Sequence, residues 1–160
     1  MARDIETRKF SEEDLQAVYQ LIQRTIDISY HEAYPEEAVE FFKNHHRKEE
    51  ILNETATGYT VVAESNNELV GTGTLLGLHI VRVFVNPLHQ HRGIGKIIVQ
   101  ELEREALVDK PATLYLEASL VSRQFWESLG YIIQSEDFIP VGYNQKLKFY
   151  RMAKTLSVIS

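Results

Sequence analysis

The sequence predicts a mixed α/β fold in a single domain over residues 1–160. Short apolar runs that suit strands alternate with stretches whose apolar residues recur at helical spacing. No linker, internal repeat or low-complexity segment divides the chain. The chain has no cysteine, so neither a disulfide framework nor a cysteine nucleophile is available.

The first third of the chain predicts one strand and two helices. "IETRKF" alternates like a short strand, and Ser11 suits the N-cap of a helix of about five turns. The apolar face of that helix comprises Leu15, Val18, Tyr19, Ile22 and Ile26. Pro35 suits the first turn of a second helix, which we expect to continue to Leu52.

The middle of the chain predicts three strands. "GYTVVAE" and "LVGTGTLL" flank the turn "SNNE", a pattern typical of a hairpin. "LHIVRVFVN" is nearly continuous in apolar residues, which predicts a central strand covered on both faces and ended by Pro87.

The last third predicts two helices and three strands. A helix begins at Ile94, with an apolar face formed by Ile94, Ile98, Leu102 and Ala106. "ATLYLEA" predicts a buried strand, and "SLVSRQFWESLG" predicts a short helix that Gly130 ends. "YIIQSE" and "KLKFYRM" predict the closing strands. We expect the final strand to lie at a sheet edge or to pair with a second copy in a homodimer.

The charge and hydropathy of the chain exclude several classes of partner. The formal net charge of −6 disfavours nucleic acid and anionic lipid, and mildly favours a cationic partner. No apolar run approaches the roughly 20 residues of a membrane helix. The charged N-terminal residues do not resemble a signal peptide. We therefore expect a cytoplasmic protein without a membrane partner.

The stretch "QHRGIGK" lies where the central strand meets the helix that begins at Ile94. Backbone N–H groups at a helix start are unpaired and carry about half a positive charge, so they bind phosphate. Gly93 and Gly95 would let a diphosphate approach the backbone, and His91, Arg92 and Lys96 add donors.

Two common nucleotide motifs do not fit this stretch. A Walker loop needs glycine where Gln90 stands and Ser or Thr where Ile97 stands. The dinucleotide fingerprint needs a third glycine where Ile98 stands.

The pattern Q-x-x-G-x-G in "VFVNPLHQHRGIGK", with V-x-V-x-P before it, resembles the GNAT superfamily of acyl-CoA N-acyltransferases. "FWESLGY" resembles the second signature of that superfamily. The resemblance implies a mostly antiparallel sheet that splays between its fourth and fifth strands. The splay would free backbone groups of Val83, Phe84 and Val85 to pair with the pantetheine arm of acetyl-CoA.

The resemblance also implies the rest of the cofactor site. The backbone N–H groups of seven consecutive residues would hold the diphosphate: Gln90, His91, Arg92, Gly93, Ile94, Gly95 and Lys96. Ser119, Ser122 and Trp126 would line the thioester end. Trp126 stands where the family often has a tyrosine as the general acid, and an indole offers no comparably acidic proton. Contact with the cofactor and packing in the core both stay open for Trp126.

Direct attack of an amine in a ternary complex is the simplest route, because no cysteine is present. The position of the family's early-strand glutamate holds His79, whose imidazole suits a general base near neutral pH. The alternative for His79 is a structural, hydrogen-bonded strand histidine. The family usually forms its acceptor site at "DISYHEAYPEE", where Tyr30, His31 and Tyr34 would bind a cationic amine. Aromatic packing on the sheet is the alternative for the two tyrosines.

The sequence thus predicts an N-acetyltransferase that moves an acetyl group from acetyl-CoA to an unidentified small-molecule or peptide amine. One alternative is a noncatalytic acyl-CoA-binding or sensing domain, and another is a protein or peptide N-acetyltransferase. No metal site is predicted. His45 and His46 cannot both face the core at adjacent helical positions, and His89 and His91 have no third ligand in view.

Overall fold

The computed structural model describes residues 4–108 and 111–157. Seven strands form one sheet in the order β1-β2-β3-β4-β5-β7-β6. The strands are β1 Ile5–Lys9, β2 Tyr59–Ser65, β3 Glu68–Leu76, β4 His79–Val85, β5 Ala112–Ser119, β6 Ile132–Val141 and β7 Gln145–Leu156. The α-helices are α1 Leu15–Ser29, α2 Glu36–His45, α3 Lys48–Thr57, α4 Ile94–Ala106 and α5 Arg123–Ser128.

The pairing of β4 with β5 differs from every other pairing in the sheet. All other neighbouring strands are antiparallel. β4 and β5 are parallel and match at a single position in the described residues, His79 opposite Tyr115. The strands diverge beyond this position, so β4 and β5 do not pair with each other towards the end of β4. The structure therefore confirms a mixed, mostly antiparallel sheet that splays between its fourth and fifth strands.

Each face of the sheet carries its own apolar core. On one face, α4 and α5 cover the core that includes Val61, Ile98, Leu102, Leu114 and Met152. On the other face, the helices α1, α2 and α3 cover the core that includes Val18, Ile22, Val39, Ile51, Val62 and Phe149. β4 contributes Ile80 to the first core and Phe84 to the second. Burial on both faces explains why the central strand is nearly continuous in apolar residues.

A β-bulge shifts the register between β3 and β4. Thr72 lies opposite Phe84 and Thr74 lies opposite Val81, so Arg82 and Val83 face the single residue Gly73. Arg82 adopts a positive φ of 54°, which is unusual for a side-chain-bearing residue in a strand. A Cβ on Gly73 would lie 2.6 Å from Cγ2 of Ile98, so α4 packs directly on the glycine backbone.

Two helices differ from the sequence prediction. The continuous helix predicted from Pro35 to Leu52 is wrong, because α2 ends at His45 and α3 begins at Lys48. Gln23 of α1 donates from Nε2 to the carbonyls of Lys43 and His46, which satisfies acceptors at this break. The helix predicted from Ser119 is shorter, because residues 119–122 form a turn before α5.

The final strand is also placed differently from the prediction. β7 pairs with β5 on one side and with β6 on the other, so its predicted position at a sheet edge is wrong. The edge strand is β6, which precedes β7 in the chain. Among the residues that the structure describes, no helix is long and apolar enough to cross a membrane.

Candidate active site

The turn between β4 and α4 is shaped by left-handed residues. Asn86 accepts a hydrogen bond from the Leu88 backbone N–H at 2.9 Å, which starts a short 3-10 turn at Pro87–His89. His91 and Gly93 then adopt positive φ angles of 66° and 81°. Residues 90–96, the glycine turn, thereby present backbone N–H groups at the start of α4.

The two glycines of this turn serve different purposes. A Cβ on Gly93 would meet nothing within 4 Å, so the space beside the turn is open and can receive an anionic group. A Cβ on Gly95 would lie 2.8 Å from Cε1 of Phe125, so this glycine lets α4 approach α5. An open concave backbone at a helix start fits the diphosphate of a nucleotide cofactor.

The glycine turn opens into a cavity of about 540 Å³, the turn cavity, which β4 and α5 also line. Ten of the predicted cofactor residues line it: Val83, Phe84, Val85, Gln90, His91, Gly93, Ile94, Gly95, Lys96 and Ser122. Arg92 is not among the lining residues, and its NH1 group lies 3.4 Å from Nδ1 of His89. Ser119 and Trp126 line a different cavity.

That second cavity, of about 460 Å³, lies between β4, the helices α2 and α3, and the β6–β7 hairpin. Seven aromatic side chains line it, and we call it the aromatic cavity: Tyr30, Phe41, Phe42, Phe84, Trp126, Phe138 and Phe149. Its charged lining residues are Glu54, Arg82, Glu117, Asp137 and Arg151. The two cavities share four lining residues, namely Tyr30, Val83, Phe84 and Ser122.

His79 forms a hydrogen bond with Glu117 across the start of the splay. Nε2 of His79 lies 2.9 Å from both carboxylate oxygens of Glu117. The hydrogen bond that protonated His79 donates to Glu117 raises the pKa of His79 above its usual 6.5, and burial partly opposes this rise. The same contact lowers the pKa of Glu117. Glu117 lines the aromatic cavity, whereas His79 contacts the cavity through Glu117.

Arg151 extends this pair into a row of charges across the sheet. Its NH2 group donates to Oδ2 of Asp137 at 2.9 Å, and its NH1 group lies 3.9 Å from Oε2 of Glu117. Glu117 and Arg151 are directly opposite each other in the β5–β7 register. Both carboxylates that line this side of the aromatic cavity are therefore paired with a cation.

A second ion pair, between Arg82 and Glu54, lies beneath α2 and α3. The Arg82 side chain is only 4% exposed, and its NH2 group donates to the carbonyl of His45 at 3.1 Å. Burial lowers the pKa of Arg82 to about 10. Burial also lowers the pKa of His45 and His46, so both imidazoles are neutral near pH 7. In the described part of the chain, no three metal-ligating side chains converge.

The three residues predicted to bind the acceptor lie in different environments. Tyr30 is 7% exposed and lines both cavities. Tyr34 lines neither cavity: its hydroxyl donates to the Lys148 carbonyl at 2.7 Å and accepts from the Leu120 N–H at 2.8 Å. His31 is exposed, with Nδ1 at 3.4 Å from Oε2 of Glu36, and it also lines neither cavity.

Ser119 ends β5, Ser122 lies in the turn that follows, and Trp126 lies in α5. Trp126 is 5% exposed and packs edge-on against Phe125 and Tyr131, with ring centroids 5.0 and 5.2 Å away. The hydroxyl of Ser119 donates to that of Ser122 at 3.0 Å.

Several residues of the site were not found from the sequence. Glu117 had a usable signal, because Tyr115 and Glu117 alternate with buried residues along β5 and must share a face. The aromatic cavity had none, because its walls come from helix, strand and hairpin segments far apart in the chain.

Comparisons with known proteins identify the family. A family profile described as an acetyltransferase (GNAT) domain matches residues 29–156. The chain is 28% identical over 116 residues to the spermidine N(1)-acetyltransferase of Thermoplasma acidophilum, covering 62% of this chain and 69% of that protein.

Solved structures share the fold. A GCN5-related N-acetyltransferase from Rhodopseudomonas palustris superposes with a TM-score of 0.86 at 22% identity, covering 94% of this chain and 95% of that one. The PaiA N-acetyltransferase from Thermoplasma acidophilum, solved with coenzyme A, superposes with a TM-score of 0.73 at 21% identity, covering 94% and 98%. Because the family profile spans most of the sequence and agrees with the splayed sheet and the glycine turn, the chain belongs to the GNAT family of acetyl-CoA-dependent N-acetyltransferases.

Proposed function

We propose that this enzyme acetylates a small-molecule primary amine that carries an apolar, preferably aromatic, group. The single observation that carries the proposal is the aromatic cavity, which meets the turn cavity at β4 and has the His79–Glu117 pair at its side. The amine would enter the aromatic cavity, and acetyl-CoA would occupy the turn cavity.

The turn cavity supports binding of the donor. The backbone N–H groups of residues 90–96 would hold the diphosphate, with His91 and Lys96 adding donors beside it. The edge of β4 that faces the splay at Val83 and Val85 has no ladder partner in β5, and it would pair with the pantetheine arm once the Gln90 side chain leaves the Val85 carbonyl, 3.3 Å away. When bound, acetyl-CoA supplies an acetyl group activated as a thioester. The bulge at Val83 would direct a backbone N–H to the acetyl oxygen, where charge develops during attack.

The His79–Glu117 pair would take the proton of the amine. A proton accepted by the Glu117 carboxylate at the cavity wall passes to Nε2 of His79, 2.9 Å from either oxygen. The protonated state is then an ion pair, His79 positive and Glu117 negative, which the raised pKa of His79 favours. Because the two groups are coupled, we assign the base function to the pair rather than to one residue.

The lining of the aromatic cavity supports the amine class. Aromatic faces attract both flat apolar groups and the single charge of an ammonium group. Each carboxylate in the lining already has a cationic partner: Glu54 has Arg82, Asp137 has Arg151, and Glu117 has His79 and Arg151. A polyamine needs several unpaired carboxylates, so we expect a monoamine here. In this respect the enzyme would differ from the spermidine N(1)-acetyltransferase to which it is similar.

One observation favours the noncatalytic alternative, in which the domain only binds acyl-CoA. Trp126 stands at the position where a tyrosine is the family's acid, and its indole is buried against Phe125 and Tyr131. This alternative predicts tight binding of acetyl-CoA without turnover.

Release of free thiol from acetyl-CoA tests the proposal directly. The panel should contain benzylamine and phenethylamine, a short alkylamine, spermidine, and a lysine-containing peptide. We expect thiol release with the two aromatic amines, at a kcat/KM at least ten times that for spermidine. Fastest turnover with spermidine or the peptide would overturn the amine class, and acetyl-CoA binding without thiol release for any amine would support the binding domain.

A further inference from the structure

The place where the two cavities meet is defined by four side chains. Tyr30, Val83, Phe84 and Ser122 line both cavities. If the donor lies in the turn cavity and the amine in the aromatic cavity, the bond between the acetyl carbon and sulfur must break here. The departing thiolate is a strong base in an apolar setting, and a proton donor stabilises it.

The junction offers two hydroxyl groups. Val83 and Phe84 have no polar side-chain atom. The hydroxyl of Ser122 is tied into the turn after β5, where it accepts from Oγ of Ser119 at 3.0 Å and lies 3.4 Å from the Ser119 carbonyl. A phenol is also a far stronger acid than a serine alcohol. Tyr30 is therefore the better proton donor of the two.

Tyr30 is held firmly at this position. It ends α1, where its N–H donates to the Ile26 carbonyl at 3.1 Å. Its ring packs edge-on against Phe42, with centroids 4.9 Å apart, and stacks with Tyr34 at 6.0 Å. Burial raises the pKa of Tyr30, so the hydroxyl keeps its proton at neutral pH. A hydrogen bond with Ser119 opposes this rise and would support the oxygen as it loses the proton.

We propose that Tyr30 is the general acid that protonates the departing sulfur of coenzyme A. As the carbon–sulfur bond breaks, its electron pair stays on sulfur, and the proton of the Tyr30 hydroxyl moves to that sulfur. Solvent then returns a proton to the Tyr30 oxygen, while the proton of the amine leaves through Glu117 and His79. This inference rests on the proposed function. It assigns the general acid to the end of α1 rather than to the family's position in α5, because Trp126 at that position has no proton of suitable acidity.

The test compares Tyr30→Phe with Tyr131→Phe. Tyr131 is an equally buried tyrosine, but its hydroxyl donates to Glu103 at 2.8 Å and lies outside both cavities. The first measurement needs no turnover: ultraviolet absorbance follows the thiolate of bound coenzyme A as the pH is raised. A hydrogen bond from Tyr30 stabilises this thiolate. At pH values well below the midpoint of the titration, Tyr30→Phe should therefore lower the fraction of bound coenzyme A present as thiolate about tenfold. Tyr131→Phe should leave the titration unchanged.

The second measurement is turnover with an active amine. Tyr30→Phe should lower kcat about 100-fold, with the affinity for coenzyme A and the melting temperature close to those of the wild type. An unchanged kcat together with an unchanged thiolate titration would overturn the proposal. If Tyr30→Phe lowers both the coenzyme A affinity and the melting temperature but leaves the thiolate titration as in the wild type, Tyr30 has a structural role, and the proposal is again overturned.

The two measurements separate this inference from the proposed function. If the wild type releases no thiol with any amine, the proposed function fails. A thiolate titration that Tyr30→Phe still shifts would then keep Tyr30 as the hydrogen-bond donor to the sulfur. An unshifted titration would remove Tyr30 from the site regardless of activity.

Discussion

Glu54→Gln should destabilise the enzyme far more than the loss of an ordinary surface carboxylate. Glu54 is the anionic partner of Arg82, whose side chain is 4% exposed. Removal of one member of a buried ion pair leaves an uncompensated charge and costs about 3–5 kcal/mol. Because the Glu54 side chain is 25% exposed and water can reach it, we expect the lower end, about 3 kcal/mol. For a domain of this size, that corresponds to a fall in melting temperature of about 6–12 °C.

Urea unfolding, followed by tryptophan fluorescence, measures this loss, and Glu49→Gln provides the control. Glu49 belongs to the same helix, but its side chain is exposed, so its loss should cost under about 1 kcal/mol. The double variant Glu54→Leu with Arg82→Met removes both charges and should be more stable than Glu54→Gln alone. If Glu54→Gln costs no more than Glu49→Gln, or if the double variant is the least stable, the Arg82 charge is not buried and the reasoning fails.

Four further predictions concern the cofactor, the amine and the reaction. Because only neutral His79 accepts a proton, the rate should rise with pH through a pKa above 6.5. Glu117→Gln removes the main cause of that raised pKa and should move the rise to lower pH. If the variant keeps the wild-type pH profile, His79 and Glu117 do not act as a coupled base. His79→Ala should lower kcat about 100-fold at pH 7, with recovery at high pH and unchanged coenzyme A affinity, and unchanged kinetics at every pH would return His79 to a structural role. Gly93→Ala and Gly77→Ala each place a side chain at a left-handed residue with open space around it, which costs about 1–2 kcal/mol of stability. Only Gly93→Ala should weaken coenzyme A binding in calorimetry. If both variants bind coenzyme A equally well, the glycine turn is not the diphosphate site. Phe138→Ala should raise the KM for an aromatic amine several-fold and leave the KM for a short alkylamine unchanged, and equal effects on both amines would argue against an aromatic subsite.

Elements with strong periodicity were predictable from the sequence. The hairpin of β2 and β3, the central strand β4 and the helix that begins at Ile94 lie where their apolar patterns place them. The break between α2 and α3 was not predictable, because it depends on Gln23, a residue of another helix. The position of β7 inside the sheet was likewise hidden, since strand order depends on contacts between distant segments.

Part of the candidate site could be predicted from the sequence, and part of it could not. The glycine turn could be predicted because its residues are consecutive and its chemistry belongs to the backbone. The residues of the aromatic cavity could not, because residues as far apart as Phe41 and Phe138 meet there only after folding. Tyr34 lies in the segment predicted to bind the acceptor, but nothing in the sequence indicated that its hydroxyl bridges the Lys148 carbonyl and the Leu120 N–H.

The bulge in β4 connects the packing of the sheet with the chemistry of the site. Gly71 and Gly73 face α4, where a Cβ on either would lie within 2.7 Å of Ile98. That close packing fixes β3 beneath α4, and the extra residue in β4 is accommodated opposite Gly73. The bulge gives Arg82 its positive φ, and the buried Arg82 side chain pairs with Glu54 below α3. A larger residue at Gly73 should therefore affect two properties together: it would weaken the packing of α4, whose first turn belongs to the proposed diphosphate site, and shift the bulge, whose Val83 lines both cavities.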